Sequence, residues 1–189
     1  MNTGGKRSEY KRGVSGAQVF FDYLNAREAR IVRILVERSQ CPLLRRLSLL
    51  MNRLGDGWLY LVTPLLATLL EGERRSHFLL ALGLSVGLAF SLYLFLKPRL
   101  ARLRPCDFDP GLRSPIKALD KYSCPSGHCM TAAAVGLQLA QTFPRTTPVV
   151  IVYWLLIAWS RISLGHHYPT DLILGGVIGV GSSWLISTF

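Results

Sequence analysis

The chain has 189 residues, half of them hydrophobic, with a mean hydropathy of +0.30 and a formal net charge of +11. This length suits one domain, and the hydropathy is above that of a usual soluble domain. A basic soluble chain would raise nucleic acid as a partner, but here the basic residues flank apolar runs, as expected beside anionic lipid headgroups. The composition therefore predicts a membrane protein that contacts membrane lipids and no nucleic acid.

The N-terminal part of the chain is basic and only partly apolar. Residues 1–16 are rich in Gly, Ser, Lys and Arg, which predicts a disordered tail without a cleaved signal peptide. Within residues 17–56, apolar side chains such as Val19, Phe20 and Tyr23 recur at helical spacing among arginines, which predicts amphipathic helices. Such helices lie on a membrane surface or pack on the rest of the protein. We favour the surface, because the chain that follows is apolar enough to enter the membrane.

Five hydrophobic segments follow: Trp58–Leu70, Phe78–Leu96, Ser126–Phe143, Pro148–Trp159 and Pro169–Phe189. The second is 19 residues long without a formal charge, close to the roughly 20 residues that cross about 30 Å of hydrocarbon. The first and fourth are short. Glycines in the last segment, such as Gly175 and Gly179, favour close helix packing. The predicted fold is all-α, an integral membrane bundle of about five transmembrane helices preceded by an amphipathic interfacial helix.

Polar clusters lie where these segments end or begin. If the second to fifth segments all cross the membrane, the chain reverses after each one, and the clusters reach the same surface. The clusters are Lys97–Pro105, Pro125–His128, Ser160–Arg161 and His167–Asp171. The topology therefore predicts one site at one membrane face.

Lys97 and Arg104 follow the second segment and suit phosphate binding. The guanidinium of arginine offers a planar fork to phosphate oxygens, and lysine offers a compact charge. The competing interpretation is that cations at a helix end extend to the lipid headgroups. We assign Arg99 and Arg102 to that structural role.

The second cluster, Ser126-Gly127-His128, precedes a long apolar run. Ser126 can cap a helix N-terminus, where free backbone N–H groups favour an anion. Gly127 lets a phosphate approach the backbone, and His128 then faces that anion from the first turn. The alternative is a histidine near the cap with no catalytic use.

The third cluster pairs a histidine with a carboxylate. His167 and Asp171 are four residues apart, so they share one face of a helix. Asp171 can accept the N–H of one ring nitrogen and leave the other as a nucleophile, while Arg161 adds a third cation. His166, five residues from Asp171, is assigned a structural role. Together the clusters predict a phosphoryl-transfer site.

Two other site chemistries fit less well. A Ser-His-Asp hydrolase would need Ser126 within G-x-S-x-G, and the sequence has Cys-Pro-Ser-Gly-His instead. Histidines and Asp171 could form a metal site, but the three nearby cations would repel a divalent ion. We therefore predict that no metal is bound.

The three clusters together resemble the signature of the type-2 phosphatidic-acid phosphatases, a superfamily that also holds soluble acid phosphatases and vanadium haloperoxidases. The signature is present here as Lys97-x6-Arg104-Pro105, Pro125-Ser126-Gly127-His128 and Ser160-Arg161-x5-His167-x3-Asp171. The resemblance covers about residue 58 to the C-terminus and implies a transmembrane phosphatase domain over residues 57–189. One departure is Cys124, where related membrane enzymes often carry an aromatic residue.

The resemblance also implies a role for each signature residue. Lys97, Arg104 and Arg161 would clamp the phosphate, assisted by Ser126 and the Gly127 backbone. His167 would attack phosphorus, Asp171 would orient His167, and His128 would protonate the leaving oxygen. The resemblance implies no metal and no other cofactor.

The predicted function is that of a metal-independent lipid phosphatase acting through a phosphohistidine. Candidate substrates are undecaprenyl diphosphate, phosphatidic acid, phosphatidylglycerophosphate and lipid A, with the first favoured. A lipid-to-lipid phosphotransferase would use the same site. Haloperoxidase chemistry with bound vanadate and a non-catalytic lipid-binding protein are the remaining alternatives.

The face of the membrane that holds the site is predicted differently by charge and by resemblance. If the N-terminal helices stay on the surface, that face carries 19 of the 22 Lys and Arg residues: 11 within 1–53, seven within 97–121, and Arg161. The positive-inside rule would make it cytoplasmic, whereas the resemblance implies the outer face. Because several of these cations can serve the phosphate, we predict a periplasmic site in a bacterial inner membrane.

The four cysteines show no metal-binding spacing. Cys106 and Cys124 flank one loop, so a disulfide between them is an open alternative. We favour free thiols, because spacing alone does not establish the geometry of a disulfide.

Overall fold

The computed structural model describes residues 16–188 except 58, 59, 61, 68, 70, 71 and 110. Over these residues the chain is helical and contains no strand, so the predicted all-α class is confirmed. The helices are α1 (Gly16–Arg38), α2 (Pro42–Gly55), α3 (Val62–Ala67), α4 (Gly72–Leu100), α5 (Pro105–Phe108), α6 (Gly127–Thr142), α7 (Thr147–Ser163) and α8 (Pro169–Ser187). The predicted disordered tail, up to residue 15, and both ends of the segment 58–70 lie outside the described residues.

Within the described residues, three helical stretches are long and apolar enough to cross a membrane by length and composition. They are Gly72–Phe108, Pro144–Ser163 and Pro169–Ser187, with mean hydropathies of 2.2, 1.3 and 1.3. The structure thus supports the membrane bundle but not the predicted count of five spans. Helix α6 has 16 residues, about 24 Å at 1.5 Å per residue, which is short of about 30 Å of hydrocarbon. Helix α3 has only six residues.

Helix α6 lies at the centre of the bundle, packed against α4, α7 and most extensively α8. Glycine makes the α6–α8 contact close: a Cβ atom on Gly175 would lie 2.5 Å from the carbonyl oxygen of Ser126. The backbone N–H of Ser126 also donates to the carbonyl oxygen of Asp171 at 3.0 Å. Close packing therefore places the N-termini of α6 and α8 side by side.

Helices α1 and α2 pack against α7. Val32 and Val36 from α1 and Met51 from α2 join the buried cluster around Ile157. On the opposite face of α1, apolar side chains are exposed, with Phe20 57% exposed. One face of these helices therefore packs on the protein, and membrane contact through the other face stays a prediction.

Candidate active site

The ends of four helices bring the signature residues into one buried cluster. Arg104 Nη1 donates to the His166 carbonyl oxygen at 2.8 Å and lies 3.4 Å from His167 Nε2. The Ser126–Asp171 backbone bond joins the second and third clusters. The site residues are almost closed to solvent, with exposed fractions of 1% for Arg104, 0% for Ser126, 1% for His167 and 0% for Asp171.

The orientation of the His167 ring defines which nitrogen can react. An arginine only donates hydrogen bonds, so the Nε2 atom that faces Arg104 carries a lone pair and the ring proton lies on Nδ1. Nδ1 faces Asp171 Oδ2, but at 3.7 Å this contact is longer than a hydrogen bond. Asp171 instead accepts from the Tyr168 backbone N–H at 2.8 Å and from Arg102 at 2.7 Å. The predicted Asp171–His167 hydrogen bond is therefore absent, although the ring orientation agrees with it.

His167 lies in the turn between α7 and α8, so it does not share a helix face with Asp171 as predicted, because the helix begins only at Pro169. The surroundings of His167 in this turn disfavour a charged ring. Burial, followed by the charges of Arg161 and Arg104, lowers the pKa of His167 well below its ordinary value. The imidazole is therefore neutral at physiological pH. A neutral ring with a free Nε2 lone pair is the form that can act as a nucleophile.

Asp120 joins the two cations of the first cluster, a contact that the sequence analysis did not predict. Lys97 Nζ lies 2.9 Å from Asp120 Oδ2, and Arg104 Nη2 lies 2.5 Å from Oδ1. Tyr93 donates its hydroxyl to the same carboxylate at 2.6 Å. Burial opposes the charge of Asp120, but the hydrogen bonds from Tyr93 and Lys97 outweigh it and lower the pKa of Asp120 to about 2. An anion thus already bridges the two cations that were predicted to hold phosphate.

The second cluster differs from its prediction in two details. Ser126 is at the N-cap of α6 but makes no side-chain capping hydrogen bond. The missing side chain of Gly127 makes room for an aromatic ring, because a Cβ there would lie 2.9 Å from Tyr93 Cε2. His128 Nε2 lies 2.7 Å from Asp56 Oδ1. The first turn of α6 is therefore held by residues outside the signature.

Arg161 is buried near the end of α7, where Asn52 of α2 contacts it. Its Nη1 donates to the Asn52 side-chain oxygen. Its Nε has no hydrogen-bond partner among the described residues, nor does His167 Nδ1. Buried donors are nearly always paired in folded proteins, so an unpaired arginine N–H at this position suits an anionic ligand.

Arg102 is not the solvent-directed cation that the sequence analysis assigned. Helix α4 ends at Leu100, and Ala101 has a φ of 44°, which turns the chain inward. The Arg102 side chain is 0% exposed and forms ion pairs of 2.7 Å with Glu28 and with Asp171. The prediction was wrong because Arg102 lies beyond the end of α4. Its side chain is therefore buried in the protein instead of extending from the helix end to the lipid headgroups.

The His166 ring is held by groups outside the signature. His166 Nε2 lies 2.9 Å from Ser114 Oγ and 3.1 Å from the Ile116 carbonyl oxygen, which ties the loop before α6 to the turn before α8. Burial, followed by the charge of Arg161, lowers the pKa of His166 to about 3.

Cys106 and Cys124 are free thiols, so the alternative of a disulfide between them is not realised.

The side chains of the site suit an anion better than a metal ion. In the part of the chain that the structure describes, no three His, Cys, Asp or Glu side chains are grouped so as to hold a metal. The site instead gathers Lys97, Arg104 and Arg161, three cations that attract phosphate oxygens.

Sequence comparison identifies the family of the chain. The sequence model of the PAP2 superfamily matches residues 78–189, more than half of the chain. The chain belongs to the PAP2 superfamily. This membership confirms the predicted family and the predicted enzyme class, a phosphoric ester hydrolase. The PAP2 match begins within α4 and contains every signature residue, but it leaves α1 and α2 outside.

Individual PAP2 relatives act on different lipids. Undecaprenyl-diphosphatase from Sulfolobus acidocaldarius is 29% identical over 153 residues, which cover 80% of this chain and 71% of that protein. Decaprenylphosphoryl-5-phosphoribose phosphatase from Mycobacterium tuberculosis is 32% identical over 123 residues, which cover 65% of this chain and 66% of that protein, just under two thirds. A solved transmembrane PAP2 type phosphatidylglycerolphosphate phosphatase from Bacillus subtilis superposes with a TM-score of 0.69 at 23% identity, covering 92% of this chain and 93% of that one. This superposition supports the bundle fold.

Sequence analysis missed the polar residues that contact the signature from elsewhere. One of them, Asn52, contacts Arg161. Asp56 contacts His128. Asp120 contacts both Lys97 and Arg104. Asp120 offered a weak signal, since it is an acidic residue between two lysines, Lys117 and Lys121. Asn52 and Asp56 offered none, because a polar residue near the end of an amphipathic helix is common at any protein surface.

Proposed function

We propose that this PAP2 protein hydrolyses a lipid phosphate or diphosphate without a metal ion, through a phosphohistidine on His167. The observation that carries the proposal is the position of His167 Nε2, which lies 3.4 Å from Arg104 Nη1 inside a buried cluster of cations. A neutral nucleophile beside fixed positive charge is the arrangement that phosphoryl transfer requires. Preorganised cations stabilise the charge that develops on the phosphoryl oxygens in the transition state.

Each step of the reaction has a group to perform it. His167 Nε2 forms a bond to phosphorus while the bond from phosphorus to the lipid oxygen breaks, and His128 gives that oxygen a proton. Water then attacks the phosphohistidine and loses a proton to His128. Phosphate leaves, and His167 recovers its lone pair. Lys97, Arg104 and Arg161 hold the phosphoryl oxygens throughout.

A partly aromatic cavity beside His128 supports a lipid leaving group. It has a volume of about 300 Å³, and its walls include Tyr60, Phe90, Tyr93 and Leu119. The first carbons of a lipid chain fit such walls, and the leaving oxygen would then lie near His128. Undecaprenyl diphosphate is the substrate that we favour, ahead of phosphatidic acid, phosphatidylglycerophosphate and lipid A.

We place the protein in a bacterial inner membrane with the site on the periplasmic face. Leu119 offers a test, because it is 79% exposed in the loop that carries Asp120. A Leu119→Cys variant with Cys41 replaced by serine should react with a membrane-impermeant maleimide in intact cells. Labelling only after lysis would place the site on the cytoplasmic face instead.

The proposed function is tested by phosphate release from detergent-purified protein in EDTA. The panel comprises undecaprenyl diphosphate, phosphatidic acid, phosphatidylglycerophosphate and lipid A. We expect release to survive EDTA, because the cations of the site replace a metal, and the panel to rank the substrates. Release that disappears in EDTA and returns with a divalent ion would contradict metal independence. Phosphate transfer to an added lipid without release to water would favour the phosphotransferase.

Asp120 is expected to compete with phosphate for Lys97 and Arg104. In Asp120→Asn we expect orthovanadate, a phosphate analogue, to inhibit about 10-fold more tightly, which corresponds to about 1.4 kcal/mol and is a modest share of the Coulomb energy of such a pair. The measurement is the inhibition constant, with Asp107→Asn as a control because Asp107 is exposed on α5. Weaker inhibition in Asp120→Asn would mean that Asp120 orients the cations rather than competes for them.

A further inference from the structure

Helix α2 carries no part of the signature and lies outside the family match, yet its C-terminal end contacts two residues of the site. Asn52 accepts a hydrogen bond from Arg161. Asp56, the first residue after the helix, has its Oδ1 atom 2.7 Å from His128 Nε2. Two polar residues at one helix end, four positions apart, thus contact a phosphate-clamping residue and the leaving-group acid of the proposed function.

Local structure explains how α2 reaches the site. The helix ends at Gly55, and the backbone N–H of Asp56 closes the last turn on the Arg53 carbonyl oxygen. A Cβ atom on Gly55 would lie 2.9 Å from Ile157 Cδ1 and 3.0 Å from His128 Cδ2. Glycine at this position therefore brings the helix end close to the imidazole ring, and the next side chain is then within hydrogen-bonding reach of it.

We propose that Asp56 is a positioning residue for proton delivery by His128, an inference that rests on the proposed function. Asp56 accepts the hydrogen bond from Nε2–H, which fixes the ring and leaves Nδ1–H to face the leaving oxygen. Burial, followed by the charge of Arg161, lowers the pKa of His128 to about 4, and the bound phosphate anion offsets this shift so that the ring carries both protons in the substrate complex. In the first step the Nδ1–H bond breaks, an O–H bond forms on the departing lipid, and the ring becomes neutral. In the second step Nδ1 takes the proton of the attacking water. Asp56 keeps its own proton state throughout.

The Asp56–His128 pair differs from an ordinary surface ion pair in the burial of its histidine. An exposed pair contributes little to stability, and the Asp56 side chain is 34% exposed. The His128 side chain, however, is only 13% exposed and lies on the wall of the cavity proposed for the lipid. The effect of Asp56 should therefore fall on the chemistry rather than on stability.

The need for a leaving-group proton gives a test specific to this role. Nitrophenolate departs without a proton at neutral pH, whereas the alkoxide of a diacylglycerol does not. We compare kcat/KM for 4-nitrophenyl phosphate and for dioctanoyl phosphatidic acid, because kcat/KM reports the steps up to transfer onto His167. In Asp56→Asn we expect a loss of about 100-fold on the lipid ester and less than about threefold on the aryl ester, in line with the size of general acid catalysis.

Matched variants separate the effect of the Asp56 carboxylate from a general loss of negative charge and from a loss of folding. Asp56→Glu keeps the carboxylate and should retain more activity on the lipid ester than Asp56→Asn. Asp107→Asn removes an exposed carboxylate elsewhere and should change neither substrate. Melting temperature and elution in detergent should match the wild type for each variant.

The possible outcomes are distinct. Equal losses on both esters, or no loss on either, would overturn the role of Asp56 while the proposed function stands. A wild-type protein that releases phosphate from neither ester in EDTA would overturn the proposed function, and the inference would fall with it.

Discussion

Replacement of His167 by alanine is expected to reduce phosphate release by at least about 10⁴-fold, the size found when a nucleophile is removed from an enzyme. We expect neither neighbouring ring to take its place, because His166 Nε2 is held by Ser114 and by the Ile116 carbonyl oxygen and His128 Nε2 lies against Asp56. The fold should tolerate the change, since Nδ1 of His167 has no hydrogen-bond partner to lose. The measurement is phosphate release from a lipid substrate by purified protein.

A matched control for this variant is His77→Ala. His77 is an exposed residue of α4, outside the signature, and its loss should leave turnover unchanged. Both variants should elute from size exclusion as the wild type does. Turnover above about 1% of wild type in correctly folded His167→Ala would assign the nucleophile to another residue.

Replacement of Arg102 by methionine is expected to have the largest effect on stability. Arg102 donates to Asn25 and forms ion pairs with Glu28 and Asp171, all buried. Removing one partner of a buried ion pair leaves uncompensated charge and costs about 3–5 kcal/mol. We expect the free energy of unfolding in detergent to fall by that amount, and the activity to fall as well because Asp171 loses the hydrogen bond from Arg102.

Arg99→Met is the control for this variant, because Arg99 is exposed and three residues away. Its side chain contacts only the carbonyl oxygen and the ring of Phe95 among the contacts described. Its loss should change the free energy of unfolding by no more than about 0.5 kcal/mol. A second variant, Glu28→Gln in the Arg102→Met background, should recover part of the lost stability, since one uncompensated carboxylate is removed. Equal effects of Arg99→Met and Arg102→Met would contradict the buried network.

Helix boundaries were predictable where the sequence carries local signals. Pro169 begins α8 as expected, because proline is tolerated in the first turn of a helix. The predicted segment Phe78–Leu96 falls inside α4 but is shorter than it, since the helix extends at both ends through charged residues, which end an apolar segment but not a helix. The predicted span over 126–143 became α6, a central helix packed against α4, α7 and α8 whose 16 residues are fewer than the roughly 20 that a span needs.

The meeting of the signature clusters at one site followed from the sequence, because the reversals of the chain between helices bring the segment ends together, whereas the contacts of each side chain within the site did not. The family and enzyme class followed from the same residues. The roles of individual residues stay predictions until the variants are measured.

The helical class, the apolar segments and the set of signature residues were readable from the amino-acid sequence, since each depends on composition or on spacing within a few turns. The other polar residues that reach the site are known only from the packing of the helices. Glu28 lies 74 positions from Arg102, and Asp56 lies 72 positions from His128. Whether a charged side chain is buried and paired depends on the elements that pack around it, and at such separations no local pattern specifies them.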